Sequence, residues 1–317
     1  MVIPEAFTPT QQLSRIRHRH LKCFLEIART RKIGLAAAAL NVTQPAASKT
    51  LRELEELLDA RLFERGGKGG LSLTPAGTLF LRYAGASVAA LKEGLDGLAQ
   101  ARHRITPLLS IGALPTVSAH VMPKVIAEFR KSNSSRIRLI TGPNVVMLEQ
   151  LRIGELDLVV GRLPRPELME GLSFTHLYSE QLVFAVRPGH PLAGTAAFDA
   201  SRLESLTLLI PTDDGVMRPV VDRFLIANGV GAMPNAIEAR SVDFCRQYVL
   251  ESDAIWIISR GVVEYDLQNG TLATLDIDAS DTRGAVGLTI NADRNPSPSL
   301  RLMMDTVASV AKARVLE

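Results

Sequence analysis

Residues 36–77 read AAAALNVTQPAASKTLRELEELLDARLFERGGKGGLSLTPAG. Residues 35–40 predict a short helix of small side chains, against which a second helix can lie close. Asn41, Val42 and Thr43 interrupt it. Thr43 is a good N-cap, and Pro45 falls in a first turn that has no partner for its missing N–H. From residue 44 to about 59, Ala47, Leu51, Leu54 and Leu58 form one apolar stripe, with Gln44, Ser48, Lys49 and Arg52 on the opposite face. Residues 61–65 and 71–74 then predict two short strands around the tip Gly66-Gly67-Lys68-Gly69-Gly70.

Working outward, residues 17–31 place Leu21, Phe24, Leu25 and Ala28 at helical spacing. Two short helices about a tight turn, the second amphipathic with polar residues at its outer N-terminal end, follow the helix-turn-helix plan. Glutamine suits bidentate contact with adenine, and lysine suits guanine or phosphate. The polar face by itself would equally describe a solvated helix. The basic hairpin with Arg65 and Lys68 tips the balance, because it is a wing able to reach phosphates. Its glycines match neither G-x-G-x-x-G nor a Walker motif.

Charge divides the chain in the same place. Net charge is +3 over 317 residues, yet residues 14–104 carry sixteen Lys/Arg against eight Asp/Glu. Residues 105–317 carry twenty against twenty-four. A basic first third points to a polyanionic partner for that part alone.

Thr74 and Pro75 open a further helix, on which Leu81, Ala84, Val88, Leu91, Leu95 and Leu98 follow a 3-4 alternation. Such a seam predicts pairing with a second copy. Packing within the chain is the competing reading. After Pro107 strands and helices alternate: strands at 108–114, 136–141 and 156–161, helices at 117–131 and 145–153. A second set has strands at 207–210, 235–239 and 254–258 and helices at 216–228 and 242–251, and the chain returns through 285–291 to a helix near 299–313. The expected fold class is thus α/β behind an all-α winged helix-turn-helix, the sensor being two Rossmann-like lobes with ligands bound between them. The expected boundaries are 16–74 for the winged helix-turn-helix, 75–103 for the dimerisation helix, 104–108 for a hinge and 109–317 for the sensor. Within the sensor, lobe 1 takes about 109–186 and 286–317, and lobe 2 about 187–285.

The run at 36–77 resembles the DNA-binding signature of LysR-type transcription regulators. LSIGALPTVSAHVMPKVIAEF, GELDLVVGRL and RPGHPLA resemble the same family's periplasmic-binding-protein-like sensor. The resemblance covers residues 16 to about 313. It implies that Gln44, Pro45, Ser48 and Lys49 face bases, and that Thr43, Arg52, Arg65 and Lys68 hold phosphates. It also implies an effector site from Pro115, Thr116, Gly142, Pro143, Asn144, Gly161, Arg162 and Thr212. Arg218 is a candidate carboxylate clamp or, equally, a partner of Asp213, Asp214 or Asp222. One departure is Gly34, where the family often has Ser or Thr opening the second helix. RHLKCFLEIA, RYAGASVAALKEG and GALPTVSAHVMP are closest to the branch that governs protocatechuate (β-ketoadipate) operons, with acidic ring-cleavage intermediates as effectors. The implied partners are promoter DNA, a small carboxylate effector and further copies as dimer and tetramer, and the resemblance admits RNA polymerase.

Other classes fit less well. Six scattered histidines show no metal-ligand spacing, no G-x-S-x-G elbow occurs, and no metal or cofactor is expected. Cys23 and Cys245 read as buried packing residues rather than redox thiols. No run approaches the ~18 apolar residues of a membrane span, and residues 1–13 lack the pattern of a signal peptide, so the expected compartment is the cytoplasm. The expectation is a ligand-switched regulator and not an enzyme. The alternatives are a LysR-type regulator of another pathway, an architectural DNA binder without effector response, and a bare solute-binding module.

Overall fold

The computed structural model describes residues 14–66, 70–103, 106–194, 200–231 and 233–316. They form two compact units. One holds the residues up to 107 with 149–156 and 291–295, and the other holds the remainder.

The first unit contains helices α1 (His18–Thr30), α2 (Ile33–Ala39) and α3 (Gln44–Leu58), strands β1 (Phe63–Arg65) and β2 (Leu71–Leu73), and the long helix α4 (Pro75–His103). Phe24 of α1 is fully buried, its ring 5.4 Å from Phe63 and 5.1 Å from Phe80. Ala47, Leu51 and Leu54 of α3 are buried in the same core. Thr43 has extended backbone, and its Oγ1 accepts the Ala46 N–H at 3.4 Å, as an N-cap must. Glu55 ties α3 to the hairpin, its Oε1 accepting the N–H groups of Leu62 and Phe63 at 2.7 and 3.3 Å. The hairpin is antiparallel, with Phe63 opposite Leu73 and Arg65 opposite Leu71. Gly77 lets α4 start tight against it, since a Cβ there would lie 2.0 Å from the Leu62 carbonyl oxygen.

Two expectations change here. Gly34 does not open α2: Lys32, in extended conformation, is the N-cap, and Gly34 is the second helical residue. Nor is the seam of α4 uniform. Leu81 and Ala84 are buried in the unit's own core and Val88 packs half-buried against it, because the start of α4 lies along α1. Leu91, Leu95 and Leu98 are 50%, 58% and 58% exposed. The intrachain reading therefore holds for Leu81 and Ala84.

The second unit has two five-stranded sheets, ordered β4-β3-β5-β12-β6 and β11-β7-β10-β8-β9. The first comprises β3 (Leu108–Ala113), β4 (Arg136–Ile140), β5 (Leu158–Arg162), β6 (Leu172–Glu180) and β12 (Gly284–Asn291). It is served by α5 (Pro115–Ser118), α6 (Val121–Phe129), α7 (Asn144–Arg152) and the closing α11 (Pro298–Leu316). The second comprises β7 (Leu182–Val186), β8 (Leu208–Ile210), β9 (Ala236–Glu238), β10 (Ile255–Ser259) and β11 (Ala273–Thr274), with α8 (Arg218–Ala227), α9 (Val242–Leu250) and α10 (Arg260–Gln268). Strand β3 runs parallel to β4 and β5, whereas β12 returns antiparallel to β5. Each sheet carries its own apolar core.

The expected helix at 117–131 is instead the pair α5 and α6, broken at Ala119–His120. The expected lobe boundary after residue 186 moves to Gln181, because β7 pairs with β10 and β11. The return to lobe 1 passes through Thr282. The Leu182 N–H donates to Thr282 Oγ1 at 2.9 Å, which binds the two crossings to each other. Helix α4 runs through His103, and of the expected hinge, residues 104–105 lie outside the described residues.

Candidate functional site

On the first unit, α3 turns Gln44, Pro45, Lys49 and Arg52 to solvent, with Ser48 half-buried beside them. Thr43 is exposed at the cap, and Arg65 is exposed on β1. Lys68 lies outside the described residues. Among the described residues, neither Arg52 nor Arg65 is in an ion pair, while Lys49 stands 4.0 Å from Glu53. An exposed helix N-terminus with amide, hydroxyl and cationic side chains beside a basic hairpin has the chemistry of a groove reader. His20, part of the basic segment in the sequence, is buried. Its Nδ1 accepts the Arg17 N–H at 3.2 Å, so in the neutral ring Nε2 carries the proton, 3.5 Å from Glu53 Oε2. Burial and the neighbouring Arg19 hold its pKa below the ordinary 6.5, against the opposing pull of Glu53.

On the second unit, a cleft with a volume of about 130 Å³ lies between the lobes. Six expected residues line it together: Pro115, Thr116, Gly142, Pro143, Asn144 and Arg162 from lobe 1; Thr212 joins them from lobe 2. Thr116 sits in the first turn of α5, and Asn144 is the first residue of α7. Asn144 is 4% exposed, and among the described residues neither its Nδ2 nor its Oδ1 has a hydrogen-bond partner. A buried amide left unpaired is costly, and here it is at a helix N-terminus, where anions are favoured.

Arg162 closes the cleft floor. Its Nη2 donates to the Glu180 carbonyl at 2.7 Å and its Nε to Ser259 Oγ at 3.3 Å, and the Ser259 hydroxyl donates to Glu180 Oε1. Burial draws the Arg162 pKa down, and the Glu180 carboxylate opposes that shift.

Two expected residues do not belong to the cleft wall. Gly161 is a packing position, where a Cβ would come 2.5 Å from the Leu114 side chain. Arg218 is held by Asp222, Asp213 and Glu238 at 2.7, 2.9 and 2.8 Å, and it donates to the Pro211 carbonyl. Its charge is thus satisfied within the lobe, and the ion-pair reading holds. The cation that does line the cleft from lobe 2 is Arg240, 2.6 Å from Asp214 Oδ1. The Thr212 hydroxyl donates to that same carboxylate oxygen at 2.8 Å. Thr212 first, then Arg240, holds the Asp214 pKa below the usual value.

Trp256, Cys245 and Ser259 also line the cleft and were not among the expected residues. Trp256 and Cys245 are buried apolar-type residues that sequence patterning cannot tell from core. Desolvation raises the pKa of both thiols, Cys23 and Cys245, to about 11, so neither is a thiolate at neutral pH. Among the described residues, no cluster of three His, Cys, Asp or Glu side chains could hold a metal. None of their helices is long and apolar enough to cross a membrane.

Comparison with known proteins agrees with this layout. Residues 18–78 match the family model of the bacterial regulatory helix-turn-helix protein, lysR family, and residues 102–312 match the LysR substrate binding domain. The HTH-type transcriptional regulator PcaQ of Agrobacterium fabrum is 48% identical over 300 residues, covering 94% of this chain and 96% of its own length. The uncharacterized regulator YdcI of Escherichia coli is 33% identical, over 92% and 95%. In fold, the chain is similar to full-length OxyR C199D of Pseudomonas aeruginosa (TM-score 0.61, 21% identity, 94% and 95% covered) and to full-length BenM (0.56, 21%, 95% and 98%). Similarity to these regulators, none of them an enzyme by name, runs through both units and nearly the whole length, and the chain belongs to the LysR family of DNA-binding transcription regulators.

Proposed function

We propose that this regulator controls an operon for aromatic-acid catabolism, in the protocatechuate branch, and is switched by a small carboxylate bound between its sensor lobes. The observation that carries the switch is Asn144. A buried amide at a helix N-terminus, with Thr116, Thr212 and Arg240 around the same cleft, lacks only a ligand that both accepts and donates hydrogen bonds. The pathway rests on 48% identity to PcaQ.

In this reading Gln44, Pro45, Ser48 and Lys49 meet bases, while Thr43, Arg52, Arg65 and Lys68 hold phosphates. Leu91, Leu95 and Leu98 pair α4 with a second copy, and dimers join into a tetramer that bends a promoter between two sites. The effector relaxes the bend because it binds one arrangement of the lobes more tightly than the other. The cell compartment is the cytoplasm, and no metal or cofactor takes part.

A thermal-shift screen of the purified chain against protocatechuate, carboxymuconate and related diacids tests the ligand, since a ligand that binds the folded state raises its melting temperature. DNase footprints on the chain's own promoter, with and without the hit, test the switch. A footprint indifferent to every acid that binds would leave an architectural DNA binder.

A further inference from the structure

Gly34 is an exposed residue inside a helix, at the second position of α2. Glycine is the poorest ordinary helix former after proline, and nothing in the backbone asks for it, because Gly34 is not among the positive-φ residues. Among the described residues, a Cβ built at Gly34 would meet a single side chain within 4 Å. That side chain is Gln44, whose Oε1 would lie 3.2 Å away and whose Cδ 3.9 Å. Helix packing does not fill the space above Gly34; the carboxamide of the first residue of α3 does.

The orientation of that carboxamide has a chemical consequence. Its oxygen is turned onto α2, and its Nε2 lies farther from residue 34 than either atom named. A glutamine reading adenine bidentately needs donor and acceptor both facing the base edge. With the oxygen parked over Gly34, the amide presents its N–H, and an N–H seeks an acceptor such as guanine N7 or O6, adenine N7 or thymine O4.

We infer that Gly34 is a specificity-determining positioning residue: its missing side chain sets the carboxamide of Gln44 so that an N–H donor faces the duplex, and a side chain at 34 changes the base that Gln44 prefers. This rests on the reading of Gln44 as a base contact. Gly34 itself touches no base. It acts through the flexible tip of Gln44, which a methyl group can displace by a few tenths of an ångström without disturbing the fold.

The test is selection of a randomised DNA library by the full-length chain and by G34A, Q44A and the double variant, with binding to a fixed non-operator duplex as a second readout. G34A should change the preference at one base pair per half-site by about 5- to 150-fold, the range of one good base contact. It should leave the other positions, the non-operator affinity and its salt dependence unchanged. In the Q44A background, G34A should add nothing. If Q44A alters the preference and G34A does not, the inference about Gly34 is wrong and the base contact stands. If G34A still shifts the preference when Gln44 is gone, Gly34 acts by another route and the inference is also wrong. If Q44A leaves the selected sequence untouched, the base-contact reading falls and takes the inference with it. A melting temperature for G34A at or above that of the parent, as expected for Gly→Ala in an exposed helix, excludes misfolding as the cause.

Discussion

Arg162 and Ser259 meet across the two lobes of the sensor, the guanidinium Nε donating to the serine hydroxyl at 3.3 Å. One residue ends β5 in the first sheet and the other ends β10 in the second. Both are buried, and Glu180, at the crossing between the sheets, bonds to each. A charged group and its partners out of water hold together only as a set. Arg162→Met strips the Glu180 carbonyl and Ser259 of a charged donor and takes the positive charge away from the nearby buried Glu180 carboxylate, and should destabilise the sensor by about 3–5 kcal/mol. Ser259→Ala leaves the arginine's charge in place and should cost about 1–3 kcal/mol. Trp256, the chain's one tryptophan, is 2% exposed in β10 and reports sensor unfolding in urea. Equal losses for the two variants would mean that the arginine's charge plays no special part.

Asn144 presents the opposite case, a buried polar group without partners. Asn144→Leu removes an unpaired amide from the ligand-free protein, so the variant should unfold about 1–3 kcal/mol later than the parent. It should at the same time lose the stabilisation that an acidic ligand brings. Melting curves with and without ligand read both. A variant less stable than the parent without ligand would show that the amide is satisfied in solution.

Much of this was legible in the sequence, and the misses have identifiable physical causes. The α3 stripe of Ala47, Leu51 and Leu54 and the Thr43 cap are local signals and land within a residue. β6 escaped because it is an edge strand, and its LSFTHLYSE run lacks strict alternation of buried and exposed residues. α10 escaped because Arg260-Gly261 makes a weak helix start, although Val262 and Val263 bury in the second lobe. For the cleft between the lobes, motif position brought Thr116, Asn144 and Arg162 to its wall. It did not separate Arg218 from Arg240, because which arginine is already neutralised depends on Asp222 and Glu238, brought in by folding. The α4 seam has one heptad-like spacing but two fates, which periodicity alone does not divide.

Those two fates give a paired prediction. Leu95→Asp places a charge on an exposed stretch of α4 and should leave the chain folded while weakening self-association, seen as a smaller species in sedimentation velocity. Leu81→Asp places the same charge in the core of the N-terminal unit, where an unpaired carboxylate is strongly unfavourable. It should unfold that unit and abolish DNA binding at any protein concentration. If Leu95→Asp sediments like the parent, α4 is not the dimer contact.

His20 makes the N-terminal unit sensitive to acid. Burial and Arg19 hold its folded-state pKa below 6.5, while Glu53 pulls the other way and Arg17 adds to the lowering. The unfolded chain therefore takes up the proton first as pH falls. Stability from the neutral imidazole is fully present above about pH 6.5, declines as the pH drops through that value, and levels off below the folded-state pKa. Protonation removes the ring's one acceptor, which takes the Arg17 N–H, and sets a cation beside two others. The melting temperature of the N-terminal unit should fall between pH 7 and pH 5, and His20→Gln, which does not titrate, should flatten that slope. An unchanged slope in His20→Gln would show that the acid sensitivity of the unit does not come from His20.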